Sequence, residues 1–327
     1  MRVLITGGTG FIGHHLVEGI LKDTDWSIAI LDRLDCSSAL DRLTDISCWE
    51  KNKDRVRFVW WDLKSELNDF ASKSLGDIDY IWHLAASSHV DRSIADPMSF
   101  VMDNVVGTCN LLNFARTQKC LKLFIYFSTD EVFGPAPEGV SYKEWDRYNS
   151  GNPYAASKAG GEELALSFCN TYKLPVIITH TMNVFGERQN PEKFIPMVIR
   201  NILNREVVTI HADKTKIHAG VRSYIHARNV LKALLFLTIT HSIGDKYNIV
   251  GDREVDNLSL AQLISNEVGK KLYYEMVDFH SKRPGHDLRY SLDGSKLKSM
   301  GFEYSTNFEE SLKNVIQWSL ENRKWIG

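Results

Sequence analysis

The stretch Leu123-Phe124-Ile125-Tyr126-Phe127-Ser128-Thr129-Asp130-Glu131 passes from large apolar side chains to small and acidic ones. Its apolar part has the length and composition of a buried parallel strand. Open α/β sheets bind their ligands beyond the carboxyl ends of such strands. Because neighbouring side chains of a strand point to opposite faces, Asp130 and Glu131 can reach one ligand only where the strand ends. We therefore predict a site at this strand exit, with both carboxylates in it.

Tyr154 and Lys158 follow in a segment, residues 154–172, whose pattern predicts a helix. Residues four apart share a helix face, so the phenol and the ammonium are expected to be neighbours. An opposite charge nearby shifts a pKa by about 1–3 units, which lowers the pKa of Tyr154 from its ordinary value of about 10. We expect Tyr154 then to act as a general base. Since Tyr-x-x-x-Lys is common by chance, this interpretation depends on the rest of the chain.

The amino-terminal segment has the order of a dinucleotide-binding unit. An apolar run at residues 3–6 leads into glycines at 7, 10 and 13 and an amphipathic segment, and the next apolar run ends at Asp32. Such glycines permit a tight turn and close backbone approach to a pyrophosphate, with helix amides facing the phosphates. A carboxylate at Asp32 suits the ribose hydroxyls and repels a 2′-phosphate. NAD is therefore favoured over NADP, although Arg33 directly after the acid keeps NADP open.

Two further apolar runs, residues 56–61 and 80–84, are predicted strands. Asp62 follows the first and has two interpretations: it faces the adenine of a cofactor, or it caps a helix that begins near residue 65. Small residues follow the second run, where they let a cofactor lie against the backbone. His83, inside that run, is interpreted as a hydrogen-bonded core histidine rather than a ligand.

Strands alternate with predicted helices, including residues 37–50 and 98–118, through this half of the chain. The alternation predicts an α/β fold with a doubly wound parallel sheet of the Rossmann-like type. Residues 134–153, rich in proline and glycine with aromatic residues between them, are expected to form a loop over the active site.

Shorter strands and mixed helices beyond residue 184 predict a smaller mixed α/β lobe that binds the substrate. We assign residues 1–184, together with 222–250, to the NAD-binding domain, and residues 185–327 mainly to the substrate lobe. Arg222 has two interpretations, a phosphate clamp or an ordinary solvated arginine. The charged turn at residues 283–287 carries several functional residue types, which makes it a candidate binding element.

The composition excludes several classes of partner. A chain of 327 residues with 43% hydrophobic content builds a full core, and its net charge of −2 gives no reason to expect nucleic acid or an acidic membrane surface. No apolar run approaches membrane-spanning length, and no cysteine or histidine has the spacing of a zinc site, so we expect no metal. The five cysteines are expected to be reduced, mostly buried thiols, which suits the cytoplasm.

These residues resemble the extended short-chain dehydrogenases/reductases, and within them the nucleotide-sugar 4,6-dehydratases of the dTDP-glucose type, over essentially the whole chain. Epimerases and decarboxylases of the superfamily share the glycines and Tyr-x-x-x-Lys, but they usually lack the Thr-Asp-Glu triplet. The most specific motifs are His83-Leu84-Ala85-Ala86 with Ser88-His89-Val90-Asp91-Arg92-Ser93, Ser128-Thr129-Asp130-Glu131-Val132, Pro191-Glu192-Lys193 with Ile195-Pro196, and Arg283-Pro284-Gly285-His286-Asp287 with Arg289-Tyr290.

The resemblance implies NAD-dependent dehydration of dTDP- or UDP-glucose to the 4-keto-6-deoxy sugar. Oxidation at C4 makes the C5 proton acidic, so that Glu131 can remove it while a protonated Asp130 gives a proton to the departing C6 hydroxyl. Two close carboxyl groups raise each other's pKa, which suits this role of Asp130. Tyr154 would take the C4 hydroxyl proton, Lys158 would hold Tyr154 and the nicotinamide ribose, and Thr129 would hydrogen-bond the sugar near C4.

The resemblance also implies the binding residues. Those for the cofactor are Gly7, Gly10, Phe11, Ile12, Gly13, Asp32, Asp62, Leu63, Leu84, Ala85, Ala86, Tyr154, Lys158 and Val184. Those for the nucleotide sugar are Ser88, Thr129, Asn183, Lys193, Phe194, Arg222, Arg283, His286 and Asp287.

Family members pair into homodimers through two long helices, which residues 98–118 and 154–172 resemble. Departures from the family pattern at Ser87, at Asp103 and in residues 211–221 leave the nucleotide base open, thymine or uracil. Two other functions remain as alternatives. The first is a nucleoside-diphosphate-hexose 4-epimerase, which needs the tyrosine and lysine but no acid pair. The second is a regulator that binds NAD without turning it over.

Overall fold

The structure, a computed structural model, describes residues 1–278 and 288–327. Within them the strands are β1 (Arg2–Thr6), β2 (Ser27–Asp32), β3 (Val56–Trp60), β4 (Tyr80–His83), β5 (Leu123–Thr129), β6 (Val176–Thr181), β7 (Asn183–Phe185), β8 (Val207–Ala212), β9 (Val221–His226), β10 (Lys246–Ile249), β11 (Arg253–Asp256) and β12 (Tyr273–Asp278). The helices are α1 (Phe11–Asp23), α2 (Asp41–Thr44), α3 (Trp49–Asn52), α4 (Asp69–Leu75), α5 (Val90–Ala95), α6 (Pro97–Val101), α7 (Gly107–Ala115), α8 (Pro153–Tyr172), α9 (Phe194–Asn204), α10 (Ala227–Thr240), α11 (Asn257–Val268), α12 (Ser295–Ser299) and α13 (Phe308–Glu321).

Seven of the strands form one parallel sheet in the order β10-β6-β5-β4-β1-β2-β3. Every residue of β5 is buried, as its continuous apolar run predicts. The sheet is covered on both sides, which buries both faces of each central strand. Leu16 and Ile20 of α1 pack with Leu234 of α10 in one core, whereas Leu111 of α7 and Phe168 of α8 belong to the other. The predicted doubly wound α/β fold is confirmed.

A smaller group of strands and helices follows strand β6 along the chain. Strand β9 pairs in parallel with β7 and antiparallel with β11, and β8 pairs in parallel with β12. A separate core lies between α9, α11 and α13, where Val198, Ile264 and Leu312 are buried together. Strand β10 and helix α10 return to the large sheet, because β10 pairs with β6 and α10 packs on α1.

Three predicted helices differ from the observed ones. Residues 37–50 form only the short α2 and the start of α3, because Asp32 and Asp35 hold the preceding loop through Ser38 Oγ and the Ser37 amide. Residues 98–118 are helical to Ala115, but a π-helical turn, Met102–Val106, separates α6 from α7. The helix expected near residue 65 begins at Asp69 instead and is capped by a different residue, so Asp62 is not a helix cap.

The cysteines and the helices bear on two further predictions. All five cysteines are free, but only Cys169 is buried and Cys36 and Cys120 are exposed, so the expectation of mostly buried thiols is wrong. The exposed pair lies in the loop after β2 and in the turn before β5, where neither side chain meets a core. None of the helices in residues 1–278 and 288–327 is both long and apolar enough to cross a membrane.

Candidate active site

One cavity of about 970 Å³ lies beyond the carboxyl ends of β1, β2, β4 and β5. Every predicted site residue in the described part of the chain lines it, from the glycine turn after β1 to Arg222 of β9. Residues Arg283, His286 and Asp287 fall outside the described residues. The lining includes Gly7, Gly10, Phe11, Ile12, Gly13, Asp32, Asp62, Leu63, Leu84, Ala85, Ala86, Ser88, Thr129, Asp130, Glu131, Tyr154, Lys158, Asn183, Val184, Lys193, Phe194 and Arg222.

The glycine turn between β1 and α1 has the shape that a dinucleotide needs. A Cβ on Gly13 would lie 2.1 Å from the Gly7 carbonyl oxygen, and one on Gly7 would lie 3.0 Å from the Ala85 amide nitrogen. Only glycine lets the helix, the turn and the β4 exit come this close. Helix α1 begins with no side-chain cap at Gly10, so its first amides are left for a phosphate group. These residues fit a pyrophosphate.

Asp32 ends β2 at the cavity and is already engaged by the protein. One carboxylate oxygen accepts from the Thr9 amide and hydroxyl at 3.1 and 2.6 Å, and the other accepts from the Leu34 amide at 2.9 Å and from Ser38 Oγ at 3.1 Å. These bonds fix both the glycine turn and the loop after β2. Asp32 therefore holds two segments of the cavity wall together, the glycine turn and the loop after β2.

Arg33 is held away from the role of a phosphate ligand. Its guanidinium donates to Asp103 at 2.6 and 2.8 Å and to Asp35 at 3.1 and 2.9 Å. Asp103 also accepts from Ser87 Oγ at 2.5 Å, which ties the loop after β2 to the exit of β4. The two departures from the family pattern, at residues 87 and 103, thus form one network with Arg33.

The exit of β4 is fixed by a buried amide on the π-helical turn. Asn104 Oδ1 accepts from the Ser87 amide at 2.8 Å, and its Nδ2 donates to the Ser87 carbonyl at 3.0 Å and to Ser157 Oγ of α8 at 2.9 Å. His83 lies behind it, within hydrogen-bond distance of Thr6 and Thr108 at 2.7 and 3.0 Å. Its interpretation as a core histidine is confirmed.

The Thr-Asp-Glu triplet turns into the cavity as β5 ends in a 3₁₀ turn, Asp130–Phe133. Thr129 Oγ1 donates to Asp130 Oδ1 at 3.0 Å and accepts from the Glu131 amide at 3.4 Å. Asp130 Oδ2 is buried without a hydrogen-bond partner among the described residues. A buried oxygen of this kind is costly unless it is protonated or meets a ligand.

Both carboxyl groups have a raised pKa. Burial raises the pKa of Asp130, against the Thr129 hydrogen bond and the charge of Arg222. Burial and the neighbouring Asp130 raise the pKa of Glu131 to about 7, although Asn152, Arg222 and Lys193 lower it. The direction predicted for both pKa values is found, but burial is the main cause, and the effect of the neighbouring carboxyl group that we predicted is found at Glu131 and not at Asp130.

The prediction for the pKa of Tyr154 is wrong in this structure. Burial raises that pKa well above its ordinary value, and the negative charges of Glu131 and Asp130 raise it further, while a hydrogen bond with Thr129 lowers it. Burial also lowers the pKa of Lys158 to about 7. Because both groups are desolvated, both charged forms are disfavoured, and the lysine is a weaker cation than the prediction assumed. Lys158 Nζ lies 4.3 Å from the centre of the Tyr126 ring.

The loop of residues 134–153 does not cover the site. None of its residues lines the cavity, and it folds back on the 3₁₀ turn through the Asn149 amide, which donates to the Val132 carbonyl at 3.0 Å. Its last side chain before α8 is Asn152, which donates to Glu131 Oε2 at 3.1 Å. The loop therefore supports the carboxylate from behind.

One wall of the cavity is formed by β9, α9 and the segment before α9. Arg222 is partly buried, donates to the Val221 and Leu288 carbonyls at 2.7 and 2.9 Å, and lies 4.8 Å from the centre of the Tyr290 ring. It is therefore not an ordinary solvated arginine. Glu192, in the segment before α9, accepts from Arg92 at 3.1 and 2.9 Å and so joins that segment to α5.

The sequence reasoning missed three residues of this site. Asn152 precedes Pro153 and Tyr154 at the start of α8, and nothing in its spacing distinguishes it from a plain helix cap. Glu192 and Arg92 belong to two of the family motifs, and their separation of one hundred positions hides the ion pair between them.

No group of three or more His, Cys, Asp or Glu side chains suited to a metal ion occurs within residues 1–278 and 288–327.

The fold and the site together define a dinucleotide-dependent enzyme of the extended short-chain dehydrogenase/reductase class. The sequence model of the family described as GDP-mannose 4,6 dehydratase matches residues 4–315. The chain belongs to this family, and its resemblance to the nucleotide-sugar 4,6-dehydratases is thereby confirmed.

Individual relatives agree with this assignment. The chain is 34% identical over 354 residues to dTDP-glucose 4,6-dehydratase 1 of Escherichia coli (strain K12), covering 100% of this chain and 94% of that protein. A crystal structure of a dTDP-glucose 4,6-dehydratase from Streptomyces venezuelae, with NAD and TYD bound, is similar with a TM-score of 0.89 and 33% identity over 99% of this chain and 98% of that one. The UDP-glucose 4-epimerase of Thermus thermophilus, in complex with NAD, is more distant, with a TM-score of 0.84 and 26% identity over 97% of this chain and 98% of that one.

Proposed function

We propose that this protein is an NAD-dependent 4,6-dehydratase of a nucleoside-diphosphate glucose, which it converts to the 4-keto-6-deoxy sugar. The observation that carries the proposal is that Asp130 and Glu131 line the same cavity as Tyr154, Lys158 and the glycine turn. An epimerase uses the tyrosine and lysine alone. Two carboxyl groups with raised pKa beside them are what an elimination of water requires, one as the acid and one as the base.

NAD would be held by the glycine turn between β1 and α1 together with Asp32 and Lys158, and it would supply the hydride acceptor for C4 of the sugar and the hydride donor for C6. Tyr154 takes the proton of the C4 hydroxyl. Lys158 holds Tyr154 and the nicotinamide ribose, and Thr129 hydrogen-bonds the sugar near C4. Glu131 removes the C5 proton once C4 is a ketone, and Asp130, protonated, gives its proton to the departing C6 hydroxyl. Glu131 then returns a proton to C5. For Tyr154 to act as a base, its pKa must fall in the loaded site from the high value that burial sets in the protein alone.

The cofactor assignment is supported by the fate of Arg33. An arginine that follows the ribose-binding acid could accept a 2′-phosphate, but this one is hydrogen-bonded to Asp103 and Asp35. With its charge already compensated, it offers little to NADP, and the carboxylate of Asp32 repels the extra phosphate.

The substrate is a dTDP- or UDP-sugar that we place between the catalytic groups and the smaller lobe. Ser88, Asn183, Lys193, Phe194 and Arg222 are proposed to hold it, and their common position on the cavity wall supports this. Residues 1–184 with 222–250 are proposed as the NAD-binding domain and residues 185–327 mainly as the substrate lobe. We further propose a homodimer that works in the cytoplasm, where five free cysteines would stay reduced.

The test is to incubate the purified protein with dTDP-glucose and UDP-glucose separately and to follow loss of water by mass spectrometry. A dehydratase gives a product that absorbs in strong alkali and exchanges a C5 deuterium label with solvent, whereas a 4-epimerase does neither. A regulator that only binds NAD would leave both sugars unchanged. Comparison of the two rates assigns the nucleotide base.

A further inference from the structure

Asn152, the last residue before helix α8, makes hydrogen bonds in two directions. Its Oδ1 accepts from the Ala155 amide at 2.8 Å, which caps the helix, and its Nδ2 donates to Glu131 Oε2 at 3.1 Å. The residue is only 6% exposed. One buried amide thus joins the start of the helix that carries Tyr154 to the carboxylate at the exit of β5.

The surrounding loop fixes where Asn152 stands. The Asn149 amide and Ser150 Oγ both donate to the Val132 carbonyl, at 3.0 and 3.3 Å. Earlier in the loop, the Tyr148 hydroxyl donates to Glu162 of α8 and accepts from Lys246 at 2.7 Å. The loop is therefore fastened to the 3₁₀ turn, to α8 and to β10. The distance from Asn152 to Glu131 is set by these contacts.

Several charged or titratable groups act on the Glu131 carboxylate. Asp130 destabilises its charged form, whereas Lys193 of the segment before α9 and Arg222 of β9 stabilise it through space. The phenol of Tyr154, on α8, also faces it. Asn152 is neutral, and it donates a hydrogen bond to the carboxylate. A hydrogen bond from a neutral donor stabilises the charged carboxylate more than it stabilises the protonated acid, and it therefore lowers the pKa of the group.

We propose that Asn152 is a positioning residue, which keeps Glu131 ionised and aims it at the C5 hydrogen of the sugar. The inference rests on the proposed dehydratase function. Holding one oxygen of a catalytic carboxylate fixes the direction of the other, and correct orientation is a large part of the efficiency of a general base. Since the same side chain caps α8, this one residue links the position of Glu131 to the position of the helix that carries Tyr154.

The test uses variants that keep the cap and remove the donor. Asn152→Ser and Asn152→Asp both retain a side-chain oxygen that caps the helix. Serine is too short to reach Glu131 as asparagine does, and aspartate would present a second carboxylate to it. Asn68→Ser is the matched control, because Asn68 caps α4 in the same way, accepting from Ala71 at 2.9 Å, and does not line the cavity.

The pH dependence of kcat separates a positioning role from a structural one. We expect the acid limb of Asn152→Ser to move up by about one pH unit, which lowers kcat about tenfold below the limb. Above the limb kcat should fall less, because Glu131 is then ionised but less well oriented. Asn152→Asp should move the limb further, and Asn68→Ser should leave both the limb and kcat unchanged. An acid limb that stays in place in both Asn152 variants would overturn the inference, whether or not kcat falls by the same factor at every pH.

A second measurement does not depend on turnover. In protein labelled with ¹³C at the glutamate carboxyl groups, the NMR signal of Glu131 is the one that disappears in Glu131→Gln. It should titrate at higher pH in Asn152→Ser, and at higher pH again in Asn152→Asp, than in the unaltered protein. Equal midpoints would overturn the inference about Asn152. If the midpoints differed as expected but the unaltered protein removed no water from either sugar, the proposed function alone would fail.

Discussion

At the scale of single residues, the different roles that we propose for Asp130 and Glu131 predict different defects when each is replaced. With Glu131→Gln the C4 position is still oxidised, but the C5 proton stays in place, so reduced cofactor accumulates and no solvent deuterium enters C5. With Asp130→Asn the C5 proton exchanges but water does not leave. Each change should lower product formation about 10²–10⁴-fold. The rates follow from mass spectrometry of the product and the ultraviolet absorbance of NADH.

The exposed Glu138, in the loop behind the site, provides the control. Glu138→Gln removes one carboxylate of the same type and should keep full activity. Normal water loss by Glu131→Gln would contradict its assignment as the base, whereas an Asp130→Asn variant that blocks C5 exchange would mean that the two carboxyl roles are reversed.

Glu131 should also make the protein less stable at the pH where it works. Its pKa is raised to about 7 in the folded protein from an ordinary value of 4.5, so the folded state binds the extra proton between these values. The contribution of Glu131 to the free energy of unfolding is fully present below its ordinary pKa of 4.5 and is lost as the pH rises through its pKa of about 7 in the folded protein. Glu131→Gln should therefore raise the free energy of unfolding by about 1–3 kcal/mol near pH 8 and change it little near pH 5. Urea unfolding at both pH values measures this, and an equal effect at both would contradict a raised pKa.

Residue types were easier to predict from the sequence than residue environments. The triplet at 129–131 and the Tyr-Lys pair could be found because spacing and residue type determine which side chains reach a strand exit or share a helix face. The pKa of Tyr154 could not, since it depends on burial by segments distant in sequence and on the two carboxylates beside it. Asn152 was missed for the same reason: its contact with Glu131 joins residues 21 positions apart.

At the scale of elements, the loop that returns to Asn152 depends on Gly134. This residue has φ +76, and a Cβ on it would lie 2.3 Å from the Asn149 carbonyl oxygen. Gly134→Ala should lower the free energy of unfolding by more than about 2 kcal/mol, since backbone strain and a steric clash add. Because the loop supports Glu131 through Asn152, kcat should fall as well.

Gly139 is the matched control for this substitution. It lies in the same loop with φ +74, but a Cβ there would meet nothing within 4 Å. Gly139→Ala should cost only the backbone strain, about 1 kcal/mol, and should leave kcat unchanged. Chemical unfolding and steady-state kinetics on both variants measure the difference. Equal losses of stability would mean that the contact with Asn149 adds nothing.

Long elements followed from the sequence, and short ones did not. The strands of the large sheet and helix α8 have continuous apolar runs or a sustained helical pattern, so their positions were correct within a few residues. The region of α2 and α3 was predicted as one helix because its composition allows helix. Side-chain hydrogen bonds to Asp32 and Asp35, which no local pattern reveals, hold the preceding loop in another path. Likewise, the π-helical turn at Met102–Val106 accompanies the bonds that Asn104 makes to two other segments.

At the scale of the whole molecule, the doubly wound sheet gathers its strand exits at one edge, which is why predictions made motif by motif converge on one cavity. Gly13, Asp32, Ala85 and Glu131 are far apart in sequence, yet they follow neighbouring strands β1, β2, β4 and β5. Topology alone does not test the proposed homodimer. Exposed apolar side chains on the helices that cover the sheet can be substituted to test where such a dimer would form.

Helix α6 carries two exposed apolar side chains, Met98 at 66% and Val101 at 41%, and neither lines the cavity. They lie in residues 98–118, which resemble one of the two helices through which family members pair, and we propose that this segment forms part of the homodimer interface. In a two-fold interface each substitution acts twice, so charges introduced here are amplified. Met98→Glu with Val101→Glu should weaken the dimer about 10–100-fold in Kd, because four buried like charges oppose association.

The control is Ile239→Glu on α10, where the side chain is 85% exposed and lies outside the proposed interface. Sedimentation equilibrium of the three proteins measures the change. A monomeric unaltered protein, or a double variant that dimerises as tightly as the control, would refute an interface at this helix.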